Sequence, residues 1–481
     1  MKTLSIVVFL SLPLCAQVAT PAEIDALIAA ARTAPGEFSA DALIRIGSID
    51  AVAKERRIEL LEQAFERASA ARQPYKRIVA TTKVAGPVGT ISKEYAQEID
   101  GLSLRLRAAE AMLPVDAKKA RALFAKIPPV KLAKANCADF LVYDLARYYE
   151  VLEKVARGAE AAERAALLEH AAGDVTSPVQ IGPMARVLTA AELPDEAFTR
   201  VVAAFGKAMS KVTSDDRSFS YASRVGVQIE ALTEECKRRK ISPLQLLEGY
   251  RVYLVFNLSA ARCADDLTAA GGLAMLATVE APSSADQVAH FNQKLQMAPL
   301  QPIHELESTP TRFEGQAVGP KECGDLQCME AAEFYRELII GPDNKPIPQK
   351  DRSGPEWWEN LRRVLKTLAA WKPTGLTPET DLFRERSAAY SNLLNLAPAS
   401  EARKLVLRAA LESIEGSQLQ KTHPMEWFLA VNSLIARASL DPVGYRDFVD
   451  DMRKSSDPLI ALYANLEAAA PRPPDQVLKL L

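Results

Sequence analysis

The feature that most constrains the fold of this chain is a proline-marked helix start that recurs along its length. The side-chain oxygen of a serine, threonine or aspartate can accept a hydrogen bond from a free amide in the first turn of a helix. Proline suits the first helical position because no amide donor is needed there. Six dipeptides combine the two residue types: Thr20-Pro21, Ser177-Pro178, Ser242-Pro243, Thr377-Pro378, Asp441-Pro442 and Asp457-Pro458. The chain is therefore expected to contain many separate helices.

Apolar residues recur at helical spacing behind these starts. Near the C-terminus, Tyr445, Phe448, Val449 and Met452 follow the i, i+3, i+4, i+7 pattern of one helix face. Alanine and leucine, which supply most of the apolar residues, are also strong helix formers. The same patterns predict further helices near residues 22–33, 53–72, 97–113, 115–127, 136–156, 159–172, 194–211, 215–238 and 243–261.

Many amphipathic helices joined by short connections favour a stacked architecture over one compact core. Each helix can bury its apolar stripe against antiparallel neighbours, and each pair can bury its outer face against the next pair. The expected fold is all-α, with antiparallel helical hairpins stacked as an α-solenoid. Only residues 77–92 have β character, and the sequence leaves open a hairpin or a long ordered loop there.

One helix pair, residues 104–128, resembles the tetratricopeptide-like helical-repeat proteins. Its sequence, LRLRAAEAMLPVDAKKARALFAKIP, places the small Ala108 on a first helix and Ala120 and Phe124 on a second, at the spacing of that family. The pair departs from the family at Arg107, where a leucine is usual, and a strict repeat of about 34 residues is not present. The resemblance implies a TPR-like superhelix with a concave binding surface, and it does not name a ligand.

The helical pattern is interrupted by a stretch rich in proline and glycine, residues 264–355. Only residues 285–297 and 326–340 have a helical pattern inside it. So much irregular chain is typical of a functional loop or of a linker between two helical parts. We therefore expect a helical-repeat region over residues 17–263, a loop-rich insertion with short helices over 264–355, and a second helical-repeat region over 356–481.

The first sixteen residues have the layout of a secretory signal peptide. Lys2 precedes an apolar run over residues 4–14, and the small Ala16 follows as a cleavage site. A buried N-terminal helix and a lipoprotein signal with Cys15 as the lipidated residue are the alternatives, although the bulky leucine before Cys15 disfavours lipidation. The sequence predicts export to the periplasm or the medium after cleavage at residue 16.

The distribution of charge argues against nucleic-acid binding as the main role. The formal net charge is −2, and basic residues are interspersed with acidic ones and form no long block. After the signal peptide, the chain has no apolar run of the roughly eighteen residues that a membrane-spanning helix needs. Neither a nucleic-acid partner nor a transmembrane segment is therefore expected.

Five cysteines follow the predicted signal peptide: Cys137, Cys236, Cys263, Cys323 and Cys328. In an exported protein they can form disulfides, and the odd count leaves at least one outside an internal pair. A bridge from Cys263 to Cys323 or Cys328 would staple the insertion to the preceding helix, and a local Cys323–Cys328 bridge is the alternative. Cys137 and Cys236 fall in predicted helices and are expected to be small buried apolar side chains.

The sequence has no pattern that predicts a catalytic or metal site. His304 and Glu305 begin like the metalloprotease motif, but Ser308 stands where the second histidine is required. Ordinary structural roles are expected for the other histidines, His170, His290 and His423. Nucleophile-elbow, phosphate-loop and dinucleotide-binding motifs are also missing. We expect no catalytic residue, no metal and no cofactor.

Two functions fit this sequence. The favoured one is an exported, non-catalytic scaffold that binds a protein or peptide partner. The neighbouring Trp357 and Trp358 cannot both face one core, so they are the candidate contact residues. The alternative is a carbohydrate-active hydrolase or lyase on a helical toroid, which needs convergent acids and exposed aromatic residues at helix ends. The low aromatic content of 6% weighs against this alternative.

Overall fold

The computed structural model of the chain describes residues 20–72, 75–79, 86–139, 141–213, 216–222, 225–260, 262–263, 284–304, 306, 310–311, 336–341, 343–348, 351–352, 354–371, 378–397 and 400–469. Most of these residues are helical, which confirms the prediction of an all-α fold. The predicted signal peptide, Cys323 and Cys328 lie outside the described residues. Within them, no helix combines the length and apolar character needed to cross a membrane.

The helices fall into an N-terminal and a C-terminal group. The N-terminal helices are α1 (Pro21–Thr33), α2 (Gly36–Gly47), α3 (Lys54–Arg67), α4 (Gly86–Tyr95), α5 (Gly101–Met112), α6 (Ala117–Ala125), α7 (Ala146–Arg157), α8 (Ala161–Gly173), α9 (Pro178–Thr189), α10 (Asp195–Met209), α11 (Ser218–Tyr221), α12 (Val225–Arg238) and α13 (Leu244–Leu258). Two short helices follow, α14 (Ser284–His290) and α15 (Arg336–Ile339). The C-terminal helices are α16 (Pro355–Ala370), α17 (Glu379–Leu396), α18 (Ser400–Glu415), α19 (Pro424–Ala438), α20 (Pro442–Arg453) and α21 (Pro458–Ala469).

Three complete single turns of helix also lie within the described residues. Two are 3-10 turns, Ala68–Ala70 after α3 and Leu419–Lys421 before α19. The third is a π-helical turn, Phe291–Leu295, which continues α14.

Four of the six predicted proline starts lie at the first helical residue. Pro21, Pro178, Pro442 and Pro458 each open a helix. At α1, Thr20 and Glu23 form the reciprocal pair of hydrogen bonds of a capping box. The other two prolines, Pro243 and Pro378, stand one residue earlier, as the caps of α13 and α17.

A small antiparallel sheet replaces the hairpin considered for residues 77–92. Strand β1 (Arg77–Val79) pairs with β2 (Leu141–Tyr143), while the second half of that stretch forms α4. The helix predicted over residues 136–156 was therefore wrong at its start, because α7 begins only at Ala146. A buried ion pair between Arg77 and Asp139, with an N–O distance of 2.9 Å, joins the segment before β2 to β1.

The helices pack in an order that differs from their order in the chain. α21 packs against α1 and α2, and α19 packs against α4, so the C-terminal helices lie beside the first helices of the chain. From this contact, one series leads through α20 and α18 to α16, and another leads through α3, α5, α7 and α9 to α12 and α13. The buried apolar side chains form one continuous core. Residues 259–354 thus connect the far end of one series to the far end of the other.

Phe38 in α2 is the aromatic centre of the contact between the two groups of helices. Its ring packs against Trp427, Phe428 and Tyr463, with centroid distances of 5.3, 5.9 and 6.3 Å. Phe38, Trp427 and Tyr463 are fully buried. Edge-to-face contacts add about 0.5–1.5 kcal/mol each beyond the burial of apolar area. This cluster therefore stabilises the docking of the C-terminal helices on the N-terminal ones.

Two buried ion pairs lie beside this cluster. Arg45 donates to Glu467 at 2.8 Å and joins α2 to α21, and Arg107 donates to Asp41 at 2.5 Å and joins α5 to α2. Loss of one partner from a buried pair is costly because the remaining charge is left in apolar surroundings. The contact between the two groups is thus charged as well as apolar.

Cys263 forms a disulfide bond with Cys137, 126 residues earlier in the chain. The prediction that it pairs with Cys323 or Cys328 was wrong, because its sulfur is already bonded. Cys137 was expected to be a buried thiol within a helix, and it lies instead in the connection between α6 and α7. Cys236 is the buried free thiol that the sequence predicted, and burial raises its pKa to about 11.

A second short sheet holds the residues around this disulfide. Strand β3 (Arg262–Cys263) pairs in parallel with β4 (Pro310–Thr311). Because β4 lies within the predicted insertion and Cys137 follows α6, the disulfide and this sheet connect three distant parts of the sequence.

Helices α10 and α13 cross at a pair of glycines. A Cβ on Gly249 would lie 2.1 Å from the Gly206 carbonyl oxygen, and a Cβ on Gly206 would lie 2.5 Å from the carbonyl oxygen of Gln245. Both contacts involve backbone atoms, which cannot rotate away. The two helices can therefore approach this closely only because neither position carries a side chain.

We predict that Gly249→Ala lowers the free energy of unfolding by about 2–4 kcal/mol, because the added methyl group must push α10 and α13 apart. Gly173→Ala is the matched control, since a Cβ there meets no atom within 4 Å. The control should be neutral or stabilising by up to about 1 kcal/mol. Urea unfolding followed by circular dichroism measures both values, and equal stability of the two variants would contradict the close crossing.

We also predict that replacing Cys137 and Cys263 together by serine lowers the free energy of unfolding by about 2–5 kcal/mol, because the bridge closes a long loop in the unfolded chain. Urea unfolding of the oxidised wild type and the double variant measures the difference, and Cys236→Ala serves as a control that keeps the bridge. Peptide mapping under non-reducing conditions should recover Cys137 joined to Cys263. A recovered peptide that joins Cys263 to Cys328 would overturn the assignment.

Candidate functional site

Two concave regions lie beside the C-terminal helices. The first, the junction cavity, lies between α4 and helices α17, α18 and α19, and has a volume of about 190 Å³. It is defined by Glu94, Arg384, Tyr390, Ser413, Glu426 and Arg437. The second, the basic groove, lies between α16, α17 and α18, and has a volume of about 600 Å³. It is defined by Arg362, Lys366, Leu382, Arg386, Tyr390 and Arg408.

Arg384 organises one part of the junction cavity. Its guanidinium donates to both carboxylate oxygens of Glu94, at 2.7 and 3.2 Å, and to Glu426 at 2.7 Å. A further hydrogen bond of 3.0 Å reaches Asp381, one turn away on α17. Three carboxylates thus share one guanidinium. Lys93, beside Glu94 on α4, is the second cation that lines this part of the cavity.

Glu94 is the buried member of this group, with an exposed fraction of 2%. Burial raises its pKa to about 7; the Arg384 charge acts in the opposite direction, and the neighbouring Glu426 and Asp381 charges raise the pKa further. A carboxyl group with such a pKa exchanges its proton near neutral pH. Glu94 is therefore a group whose charge can respond to whatever enters the cavity.

The other end of the same cavity carries positive charge. Arg437 donates to the Asn395 side chain at 2.8 Å, and Arg403 donates to the Arg437 carbonyl oxygen at 3.2 Å. Burial, and to a smaller extent the Arg403 charge, lowers the pKa of Arg437. Within the described residues, neither arginine forms an ion pair with a carboxylate. An arginine in the wall of a cavity that has no acidic partner can bind an anionic group of a ligand.

Tyr390 lies in the wall that the two concave regions share. Its side chain is 2% exposed, and its hydroxyl has no hydrogen-bond partner of ordinary geometry among the described residues. Burial raises the pKa of Tyr390, as does the Glu412 charge, whereas the Arg386 charge and the nearby Ser413 hydroxyl lower it. A buried hydroxyl without a partner costs about 1–3 kcal/mol. A polar group in the cavity would offset this cost.

The tryptophans singled out from the sequence differ in their surroundings. Trp357 is buried, and its Nε1 donates to the Leu338 carbonyl oxygen at 3.2 Å, so the insertion covers it. Trp358 is half-buried, and the Arg362 guanidinium lies 5.7 Å from its ring centroid. Arg362 lines the basic groove, so Trp358 contacts a groove residue without lining the groove itself. Trp357 is held by packing.

The histidines take no part in either concave region. His290 Nε2 lies 3.0 Å from Glu230 in the contact between α14 and α12, and His304 is exposed. In the part of the chain that the structure describes, no group of three histidine, cysteine, aspartate or glutamate side chains could hold a metal ion. The junction-cavity residues could not be predicted from the sequence, because they belong to no local motif. Glu94 and Arg384 lie 290 positions apart.

Comparison with known proteins gives no further direction. No protein-family profile matches this sequence, and no curated protein is significantly similar to it.

We predict that Glu94→Gln flattens the dependence of stability on pH. The raised pKa means that ionisation of Glu94 is harder in the folded state. The protonated form of Glu94 therefore favours the folded state. This contribution to the free energy of unfolding is fully present below pH 4.5 and is lost as the pH rises through about 7. Between pH 5 and pH 8 the wild type should lose roughly 1–3 kcal/mol more unfolding free energy than the variant.

Urea unfolding of both proteins at the two pH values checks this prediction. Asp100, whose pKa burial raises to about 6, is present in both proteins and contributes equally to both profiles. Parallel profiles would show that burial does not govern the charge of Glu94.

Proposed function

We propose that this protein is an exported, non-catalytic scaffold that binds a protein or peptide partner in the basic groove. The observation that carries the proposal is the combination of an open, apolar-floored groove with an excess of cationic side chains. Its volume of about 600 Å³ is within the range of ligand-binding clefts, roughly 300–1,000 Å³. A groove of this size accommodates a few residues of an extended chain.

The charges around the groove favour an acidic segment. Four cationic side chains, Arg362, Lys366, Arg386 and Arg408, line it together with two glutamates, Glu379 and Glu412. Arg408 is partly neutralised by Asp451 at 2.8 Å. Lys366 is exposed and forms no ion pair with the described residues. Complementary charge guides association and determines which partner is accepted.

The floor of the groove favours apolar side chains within the same segment. Leu365, Leu382, Phe383, Leu405 and Ala409 lie between the charged residues. Trp358 is half-buried and contacts Arg362, one of the groove residues. Buried aromatic residues and arginines carry much of the binding energy of protein interfaces. The partner we propose is therefore a segment with alternating acidic and apolar residues.

The packing of the helices supports the scaffold interpretation. Neighbouring helices pack against each other in two continuous series of contacts, which supports the proposed stacked arrangement. In the pair that resembles a tetratricopeptide repeat, Ala108, Ala120 and Phe124 are all buried. The disulfide between Cys137 and Cys263 is compatible with an oxidising location outside the cytoplasm. Together with the predicted signal peptide, it supports export.

A carbohydrate-active enzyme is the second candidate, and one observation favours it. Glu94 and Glu426 converge on the junction cavity, and glycoside hydrolysis uses two such carboxyl groups. However, Arg384 is hydrogen-bonded to both of them, which holds them in ion pairs instead of leaving them free for proton transfer. If the wild type hydrolyses a polysaccharide and the Glu94→Gln variant does not, the carbohydrate-active enzyme becomes the preferred function over the scaffold.

We predict that Lys366→Glu weakens the binding of acidic–apolar peptides by about tenfold, because the reversed charge repels them from the basic groove. Peptides are first selected on the mature chain from a random library, and fluorescence anisotropy then gives the dissociation constants. Binding to the wild type should also weaken as the salt concentration rises.

Lys118→Glu is the matched control. Lys118 is likewise an exposed lysine on a helix, at α6, and it lies outside the groove. The proposal fails if the two variants bind equally well, or if the selected peptides carry no excess of acidic residues.

A further inference from the structure

Helices α17 and α19 run parallel along the junction cavity, so their corresponding ends lie together. Arg384 near the start of α17 binds Glu426 near the start of α19, and Arg437 near the end of α19 binds Asn395 near the end of α17. Arg437 lines the cavity, whereas Asn395 lies outside its lining. The contact between Arg437 and Asn395 therefore marks one end of the cavity.

Two serine side chains lie beside this contact. Ser433 precedes Arg437 by four positions on α19, and Ser391 precedes Asn395 by four positions on α17. Residues at this spacing are neighbours on one face of a helix. Both serines line the cavity, and neither hydroxyl is hydrogen-bonded to another described residue. We call Ser391, Ser433 and Arg437 the arginine end of the cavity.

The charge of Arg437 is not neutralised by the described part of the chain. Its Nη1 donates to the neutral Asn395 side chain at 2.8 Å, and no described carboxylate pairs with it. Carbonyl oxygens at the ends of α17 and α19 also carry partial negative charge. Arg403 already donates to two of them, those of Leu394 and Arg437, at 3.3 and 3.2 Å. The Arg437 guanidinium therefore remains available to a carboxylate, whose two oxygens match its planar donors.

The charged groups at the opposite end of the cavity are satisfied by the protein itself. Arg384 is hydrogen-bonded to Glu94, Glu426 and Asp381, so these groups need no partner from a ligand. Lys93 also lines this end, and its side chain is exposed to water. A complementary ligand therefore carries its charge at the arginine end and extends an uncharged body into the rest of the cavity.

The size of the cavity limits the body of the ligand. A cavity of about 150 Å³ holds benzene, a molecule of about six non-hydrogen atoms. By that ratio, the volume of about 190 Å³ corresponds to roughly seven or eight such atoms. Apolar side chains also line the cavity: Phe383, Ala410, Ile414, Leu429, Ala430 and Leu434. A short carbon chain fits both the volume and this lining.

We propose that the junction cavity binds a small hydroxycarboxylate of about seven or eight non-hydrogen atoms at its arginine end. The carboxylate accepts hydrogen bonds from Arg437, the ligand hydroxyl pairs with Ser391 and Ser433, and the carbon body lies against the apolar side chains. Serine hydroxyls both donate and accept hydrogen bonds, so they suit a ligand hydroxyl. This site is separate from the basic groove, which takes a segment of a larger partner.

The experiment is isothermal titration calorimetry of the full mature chain with racemic 3-hydroxybutanoate as the probe. Its neutral analogue 3-hydroxybutanamide should bind more weakly by a factor of about ten or more, because it lacks the charge that pairs with Arg437. Butanoate should bind about three- to tenfold more weakly, because it leaves the serine hydroxyls unpaired. Racemic 3-hydroxyoctanoate should also bind more weakly, since its longer chain exceeds the volume of the cavity. Lack of binding by 3-hydroxybutanoate, or equal or tighter binding by any of these analogues, would overturn the proposal.

Variants connect each preference to its residues. In Arg437→Gln the preference for 3-hydroxybutanoate over its amide should disappear. In the double variant Ser391→Ala with Ser433→Ala, the preference over butanoate should disappear, whereas the preference over the amide should remain. A variant that merely distorts the cavity would weaken all the compounds together and leave both preferences in place, which would count against the assignment.

Ser387→Ala is the matched control. Ser387 is also a serine of the cavity lining on α17, and it lies one turn farther from Asn395 than Ser391 does. Both preferences should be unchanged in this variant, and loss of either would contradict the assignment to the arginine end. Lys366→Glu should leave 3-hydroxybutanoate binding unchanged, so failure of the groove proposal and failure of this one are distinguishable.

Discussion

The docking of the C-terminal helices on the first helices of the chain is the interaction on which the rest of the structure depends. Phe38 inserts between aromatic residues of α19 and α21, and Arg45 reaches Glu467 across the same contact. Without this contact, α1 and α2 would expose the apolar side chains that face α21, and α4 would not meet α19. The junction cavity would then lose the helix that supplies Glu94, so the cavity exists only because the two groups of helices are joined.

The same contact explains why ionic groups are buried at this place. Moving a carboxylate away from water is unfavourable unless a cation and hydrogen bonds replace the water. Arg384 supplies the cation and the hydrogen bonds for Glu94. Because Arg384 also binds Glu426 and Asp381, it does not fully offset the burial of Glu94, and the pKa of Glu94 remains above its ordinary value. An apolar contact of the same area would be at least as stable. The buried charges at this place are therefore not explained by stability alone.

Much of the fold follows from local patterns, and most of the candidate site does not. The proline starts at Pro21, Pro178, Pro442 and Pro458 lie where the capping pattern placed them, because caps act within one turn. The helix assigned across Cys137 was wrong, since the Arg77–Asp139 pair and the β1–β2 sheet depend on contacts distant in sequence. Glu94 and Arg384 meet for the same reason. Trp358, which contacts the groove residue Arg362, is the candidate contact residue that the sequence itself suggested.

The position of α21 against α1 has a consequence for how the molecule is made. The ribosome releases the N-terminal helices first, yet part of the surface that covers α1 and α2 belongs to α21 (Pro458–Ala469), which is made much later. Until α21 is made, α1 can pack only against α2, so the part of its apolar stripe that faces α21 stays uncovered. A truncated product that lacks α21 would keep that part of the stripe exposed, which makes premature termination a direct route to aggregation.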